Sequence, residues 1–214
     1  YSCFNYTKLL QMTKIATELF DEWALNNKDF GMQRSHSNAV NRMLRSLTDC
    51  RDKSFSFIDA GCGNGWVVRR ILEHPLCERA IGIDGAKEMI LKAKKANSNG
   101  DYIFSDLFDW VPDKQVDFVH SMEVIYYFTN PKDIILHMKN FWMKNGGRII
   151  FGLDYYKENK NCISWPVDLG LKMTLLSIHD WREILRSCGL KDIKYFQTNS
   201  NGDFPGTLVI YGSK

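Results

Sequence analysis

The stretch Phe57-Ile58-Asp59-Ala60-Gly61-Cys62-Gly63-Asn64-Gly65-Trp66 joins an apolar run ending in an acid to a turn with glycine at every second position. Alternating glycines let the backbone turn tightly and come close to a ligand without side-chain interference, and a helix starting just after them offers its free N–H groups. The chemistry this favours is the binding of a nucleotide-like cofactor. About twenty residues later, the spacing a dinucleotide-type site uses, Ala80-Ile81-Gly82-Ile83-Asp84 is a second apolar run ending in an acid. A carboxylate there can accept from both hydroxyls of a ribose. Tyr102-Ile103-Phe104-Ser105-Asp106-Leu107 repeats the pattern a third time.

These residues carry a family resemblance. Asp59 to Gly65 resembles the first motif of the class I S-adenosylmethionine-dependent methyltransferases, Asp84 resembles their ribose-binding acid, and Asp106 the strand-end acid that holds the adenine amino group. The likeness covers roughly Ser54 to Phe151 well and the rest in general layout. A nicotinamide dehydrogenase leads its first strand into G-x-G-x-x-G, so the G-x-G-x-G spacing of Gly61, Gly63 and Gly65 after an acid favours the methyl donor. The resemblance implies S-adenosylmethionine as cofactor. Asp59 and the turn Ala60, Gly61, Cys62, Gly63, Asn64 and Gly65 would meet its methionine part, with carbonyls near Ala60 and Ser121 accepting from the amino group. Asp84 and Gly85 would meet the ribose, and Asp106 the adenine, with Met89, Leu107 and Phe108 as walls. Cys62, a spacer inside the turn, reads as a small filler rather than a nucleophile.

Methyl transfer is an in-line displacement whose sulfonium donor supplies a good leaving group, so positioning does much of the work. An amine or thiol acceptor needs only its lone pair, whereas a hydroxyl or phenol is helped by a positioned base. His36, Glu123, Asp154 and His179 are the candidates for that base, and His120, inside an apolar strand, reads as a hydrogen-bonded core residue. The segment Ser121 to Phe128 lies where the resembled family places residues touching cofactor and acceptor. It has neither the N-P-P-Y or D-P-P-Y motif of enzymes that methylate exocyclic amino groups of bases or glutamine side chains nor a Pro-Cys nucleophile of the cytosine-C5 type, which lowers the nucleic-acid reading without removing it. Trp23, His36, Tyr126, Tyr127, Tyr155 and Trp165 are the candidate lining of an acceptor pocket suited to a small, partly apolar molecule. No metal is expected.

Positioning these groups requires strands alternating with helices. The pattern predicts helices over about Thr7 to Trp23 and again around Val40, Met43, Leu44 and Leu47, then strands at Phe55–Asp59, Ala80–Asp84, Tyr102–Asp106 and Val116–Ser121, with helices Val67–Leu72 and Lys87–Ala96 between the first three. Asn130-Pro131 starts a further helix with Ile134, Ile135, Met138, Phe141 and Trp142 inward, ended by Gly146-Gly147 before a strand at Arg148–Asp154. A capping box at Ser177 opens a helix with Trp181, Ile184, Leu185 and Cys188 inward. Lys191–Gln197 and Thr207–Tyr211 close the chain as a hairpin. The expectation is an α/β doubly wound, mostly parallel seven-stranded sheet with one antiparallel strand near the edge, as in the resembled family. It forms one domain, residues 54–214 being the Rossmann-like core and residues 1–50 an N-terminal helical lid. The long polar and aromatic connection from Asp154 to Pro166 is expected to border the site.

The 214 residues suffice for one well-buried domain. No apolar run approaches the ~20 residues of a membrane span. The formal charge of +3 is spread among acids, and the one local cluster, Lys87, Lys92, Lys94 and Lys95, reads as a solvated helix face. The six cysteines show neither a C-x-x-C pair nor zinc-ligand spacing, which suits free thiols in the cytoplasm. The chain starts at Tyr1 without an initiator Met or a signal-like segment, so a preceding stretch is expected to be missing. The reading is a methyltransferase acting on a small-molecule acceptor. A tRNA, rRNA or protein acceptor is the alternative, and a non-catalytic cofactor-binding regulator is a third reading.

Overall fold

The computed structural model of the protein describes residues 15–49, 51–97 and 100–214. Two helices, α1 (Ala16–Leu25) and α2 (Asp29–Thr48), come first. They are followed by β1 (Phe55–Ala60), α3 (Trp66–Leu72), β2 (Cys77–Asp84), α4 (Lys87–Ala96), β3 (Asp101–Phe104) and β4 (Val116–Met122). The second half holds α5 (Pro131–His137), β5 (Met143–Leu153), α6 (Trp165–Leu169), α7 (Ile178–Ser187), β6 (Lys191–Thr198) and β7 (Thr207–Ser213). The expected residues Thr7 to Lys14 of the first helix, and Cys3 and Cys50, lie outside the described residues.

The seven strands are ordered β3-β2-β1-β4-β5-β7-β6. All neighbours among the first five are parallel, and β7 runs antiparallel to both β5 and β6. The expected doubly wound sheet with one antiparallel strand near its edge is therefore what forms. Strand order reverses between β1 and β4, and in open α/β sheets the crevice at such a reversal, outside the carboxyl ends, is where ligands bind.

Period-two alternation divides the core into two layers. Ile58, Val119, Ile149, Phe151 and Ile210 face α5 and α7, packing on Ile134, Ile135, Trp142, Trp181 and Leu185. Phe57, Phe118, Ile150 and Val209 face the opposite side, against Val40, Met43 and Leu47 of α2. Successive strand residues point to opposite faces, so central strands covered on both sides need nearly continuous apolar runs. The carboxyl half of α2 is thus a core helix, while its first turns reach the mouth of the sheet.

The structure corrects the segment after β4. Its α-helix stops at His137 and a wider π turn, Met138–Trp142, follows. That turn alters the spacing of the buried stripe: Trp142 stays fully buried and donates to the Trp110 carbonyl at 3.0 Å, whereas Phe141 is 53% exposed. The strand then begins at Met143, and Gly146-Gly147 sit inside a register shift opposite β4 instead of ending a helix. Asn130 precedes the helix with extended backbone but caps no backbone N–H, its amide donating to Asp133 instead. Ser177 does cap α7, accepting from the Asp180 N–H at 3.1 Å. The 154–166 connection is less irregular than its composition suggests, because a 3-10 turn, Lys160–Cys162, and the start of α6 lie within it.

Candidate active site

A cavity opens at the carboxyl ends of β1, β2, β3 and β4. Its floor is the glycine turn, where Gly61, Gly63 and Gly65 all have left-handed backbone, φ between 52° and 75°. They do different work. A Cβ on Gly61 would lie 2.2 Å from Val124 Cγ2, and one on Gly65 would lie 2.4 Å from Tyr102, so both allow close packing. Among the described residues a Cβ on Gly63 would meet nothing closer than Met89 Sδ at 3.9 Å, which leaves its space to the cavity.

Asp84 closes one wall. Its Oδ2 accepts from Gly63 N–H at 2.8 Å and its Oδ1 from Ala86 N–H at 2.7 Å, which aims the carboxylate across the glycine turn. Burial lifts its pKa to about 6, against the lowering effect of those two hydrogen bonds. A carboxylate has about four lone-pair sites, so two remain for a diol. Asp106 also lines the cavity, its Oδ1 accepting from Phe108 N–H at 2.7 Å.

The other half of the cavity is apolar and aromatic: Phe20 of α1, Met32 of α2, Met122 at the end of β4, and Val124, Tyr127 and Phe128 after it. His36 and Glu123 are the polar groups set into it. Glu123 has φ of 60°, which holds its side chain inward; Oε1 accepts from Asp154 N–H at 2.5 Å and Oε2 from the Tyr126 hydroxyl at 2.8 Å. Burial, then the nearby Asp154, push its pKa to about 8. His36 Nε2 lies 3.4 Å from Asp154 Oδ2. Burial opposes charge on His36, but Asp154 and Glu123 outweigh it and raise its pKa.

Of the residues expected at the cofactor, Gly61, Gly63, Asp84, Gly85, Met89, Asp106 and Leu107 come together around the cavity. Others serve as its support. Asp59 is buried and paired with His120 Nδ1 at 2.7 Å, the core histidine the apolar strand called for. The Ala60 carbonyl accepts the Ser121 hydroxyl at 2.8 Å, so one of its acceptor sites is used within the protein. Cys62 is buried against Gly82, and burial drives its thiol well above its ordinary pKa, which fits a filler. Asn64 donates to buried Asp29 at 2.8 Å. Phe108 turns outward, 41% exposed, and packs edge-on against Phe128.

The expected acceptor pocket is corrected similarly. His36 and Tyr127 line the cavity, but Trp23 stands behind Phe20 at 5.5 Å between ring centroids. Tyr126 and Tyr155 are buried behind the wall, their centroids 5.3 Å apart, and Trp165 stacks on Tyr155. Their aromatic surface is consumed by packing against one another. His179 is exposed at the start of α7 and does not line the cavity, so it drops out as a base. Thr17, Phe20 and Met32 were overlooked, although Met32 and His36 sit one helical turn apart and so share a face.

The sheet order, the glycine turn and the acids at three strand ends are those of a Rossmann-like methyltransferase domain. The chain belongs to the methyltransferase-domain family, whose profile matches residues 30–195, and its cofactor is S-adenosylmethionine. It is 26% identical over 173 residues to malonyl-[acyl-carrier protein] O-methyltransferase 2 of Ilyobacter polytropus, covering 78% of this chain and 62% of that one. It is also 26% identical to the tRNA U34 carboxymethyltransferase of Aliivibrio fischeri, covering 72% and 49% respectively. The chain thus spans less than two thirds of these relatives. Among solved structures, the complex of the Haloferax volcanii Trm112 methyltransferase activator with a methyltransferase matches with a TM-score of 0.80 at 24% identity, covering 91% of this chain and 96% of that one. That likeness is one of fold.

Proposed function

We propose that the protein methylates a small, partly apolar acceptor that is neutral or cationic. The observation that carries this reading is the absence of fixed positive charge on the cavity wall: no lysine or arginine lines it among the described residues, and its acids include Asp84 and Asp106. A polyanion is held by arrays of cations at its phosphates. Of the lysine cluster on α4, Lys92 is engaged by Asn27 and Asp29 at 2.8 and 2.7 Å, and none of the four lysines lines the cavity. The tRNA acted on by the Aliivibrio relative and the acidic malonyl group of the Ilyobacter relative's substrate are both less suited to such a wall.

When bound, S-adenosylmethionine supplies a methyl carbon already activated by its sulfonium. The chain's own residues bind, orient and shield. Asp84 and Asp106 would hold the ribose and adenine, while Gly63 leaves room for the backbone to approach. Phe20, Met32, Val124, Tyr127 and Phe128 would exclude water around the acceptor, and His36 or Glu123 would position its polar atom. We read the described residues as one unit in which α1 and the first turns of α2 complete the site. The free thiols of Cys62, Cys77, Cys162 and Cys188 suit the cytoplasm. No helix among the described residues is long and apolar enough to cross a membrane.

The test is release of S-adenosylhomocysteine from S-adenosylmethionine with fractionated small metabolites and, separately, total tRNA, using Gly63→Arg as the blank. Turnover with metabolites only is expected; turnover with tRNA only overturns the acceptor class.

A further inference from the structure

We propose that His36, Glu123 and Asp154 form a binding site for one divalent transition-metal ion at the acceptor end of the cavity. The three come from separate elements, α2, the turn after β4 and the end of β5, and each brings a ligand atom within 4.8 Å of the other two. The 3.4 Å between His36 Nε2 and Asp154 Oδ2 equals the separation of two ligands each ~2.1 Å from one ion at a tetrahedral angle, about 3.4 Å. One imidazole with two carboxylates suits Mn²⁺, Fe²⁺ or Zn²⁺ better than Ca²⁺, which takes oxygen ligands alone.

A second observation points the same way. Asp154 is 9% exposed, and its Oδ1 is buried with no hydrogen-bond partner among the described residues. A buried carboxylate oxygen without a partner is costly, and an ion would satisfy it. The ligands are also held from behind, as metal ligands usually are. The His36 ring hydrogen-bonds to the Met32 carbonyl one turn back on α2, and Glu123 is fixed by Tyr126 and the Asp154 N–H.

Three protein ligands leave coordination positions free, and His36 and Glu123 both face the cavity. An oxygen of the acceptor can occupy one of them, and a hydroxyl so bound loses its proton more readily. This extension rests on the proposed methyl transfer to a small acceptor, and it narrows that acceptor to one bearing a hydroxyl or a vicinal oxygen pair.

The experiment is a titration of EDTA-stripped, dialysed protein with MnCl₂, read by electron paramagnetic resonance of the free ion. One Mn²⁺ per chain is expected. His36→Ala, Glu123→Gln and Asp154→Asn should each weaken binding at least about tenfold, and Asp109→Asn, an acid away from the cluster, should leave it unchanged. Circular dichroism melts check folding; should His36→Ala fail to fold, the near-isosteric Glu123→Gln and Asp154→Asn decide the matter. Wild-type protein that retains no Mn²⁺ at millimolar concentration, or folded variants with wild-type affinity, overturns the site. Calorimetry with S-adenosylhomocysteine on the same samples separates the two readings. Mn²⁺ binding without it sinks the methyltransferase reading alone, and its binding without Mn²⁺ sinks the ion site alone.

Discussion

The Asn64 side-chain amide donates to the buried Asp29 carboxylate at 2.8 Å, which ties the glycine turn to the first residue of α2. Lys92 of α4 completes the link with an ion pair to the other Asp29 oxygen at 2.7 Å. Asp29 is 2% exposed, so these partners supply the hydrogen bonds that water would otherwise make to its carboxylate. Asp29→Ala removes the acceptor common to both and is expected to cost about 2–3 kcal/mol, below the full buried-pair penalty because the Lys92 side chain is partly exposed. Urea unfolding checks the stability, and calorimetry with S-adenosylhomocysteine should show weaker binding because the turn loses its anchor.

Asp84→Ala is expected to weaken S-adenosylhomocysteine binding by about 1–3 kcal/mol, through loss of charge-assisted hydrogen bonds. Affinity equal to wild type in calorimetry would remove Asp84 from the site.

The raised pKa of Asp84, about 6, gives binding a pH dependence. Ribose hydroxyls donate to the carboxylate form, so affinity should fall as pH drops from 7 to 5, with a proton released on binding near pH 6. Stability carries the opposite sign. A carboxyl whose pKa is higher folded than unfolded favours the native state when neutral, so its contribution is complete below the ordinary pKa of about 4 and is lost as pH rises through about 6. Asp84→Asn should flatten both dependences, and unchanged profiles would show that another group controls them.

Gly61→Ala and Gly63→Ala should fail in different ways. Both positions have left-handed backbone, a cost of about 1–2 kcal/mol for alanine. At Gly61 the new methyl also meets Val124, so the melting temperature should fall further than in Gly63→Ala, whose larger loss should be in cofactor affinity. Equal melting temperatures would contradict the packing role assigned to Gly61.

Ser177→Ala removes the hydroxyl that accepts from Asp180 N–H and should cost about 1 kcal/mol. Asp180, whose carboxyl is held well below its usual range first by the Ser177 backbone N–H and then by the Ser177 hydroxyl, should shift upward but stay below its ordinary value, because the N–H and Lys157 remain. Chemical denaturation measures the first, and a carboxyl titration by NMR the second.

The acid-ended strands Phe57 to Asp59 and Ala80 to Asp84, the turn Gly61 to Gly65 and the capping box at Ser177 were legible in the sequence. Each is a local pattern, set by the periods of strand and helix and by the backbone freedom of glycine. From them followed the doubly wound sheet, the antiparallel strand and the methyl donor. The segment from Met138 to Gly147 was not legible, since a π turn keeps Trp142 inward and releases Phe141 through packing that no neighbour in sequence specifies. Tertiary structure alone decided that Trp23, Tyr155 and Trp165 back the wall, while Phe20 and Met32 form it. It also brought His36, Glu123 and Asp154 together, because their meeting depends on how α2 crosses the ends of β4 and β5 and on the left-handed backbone of Glu123. Composition and spacing carry no record of such directions; they are set by side-chain packing between elements distant along the chain.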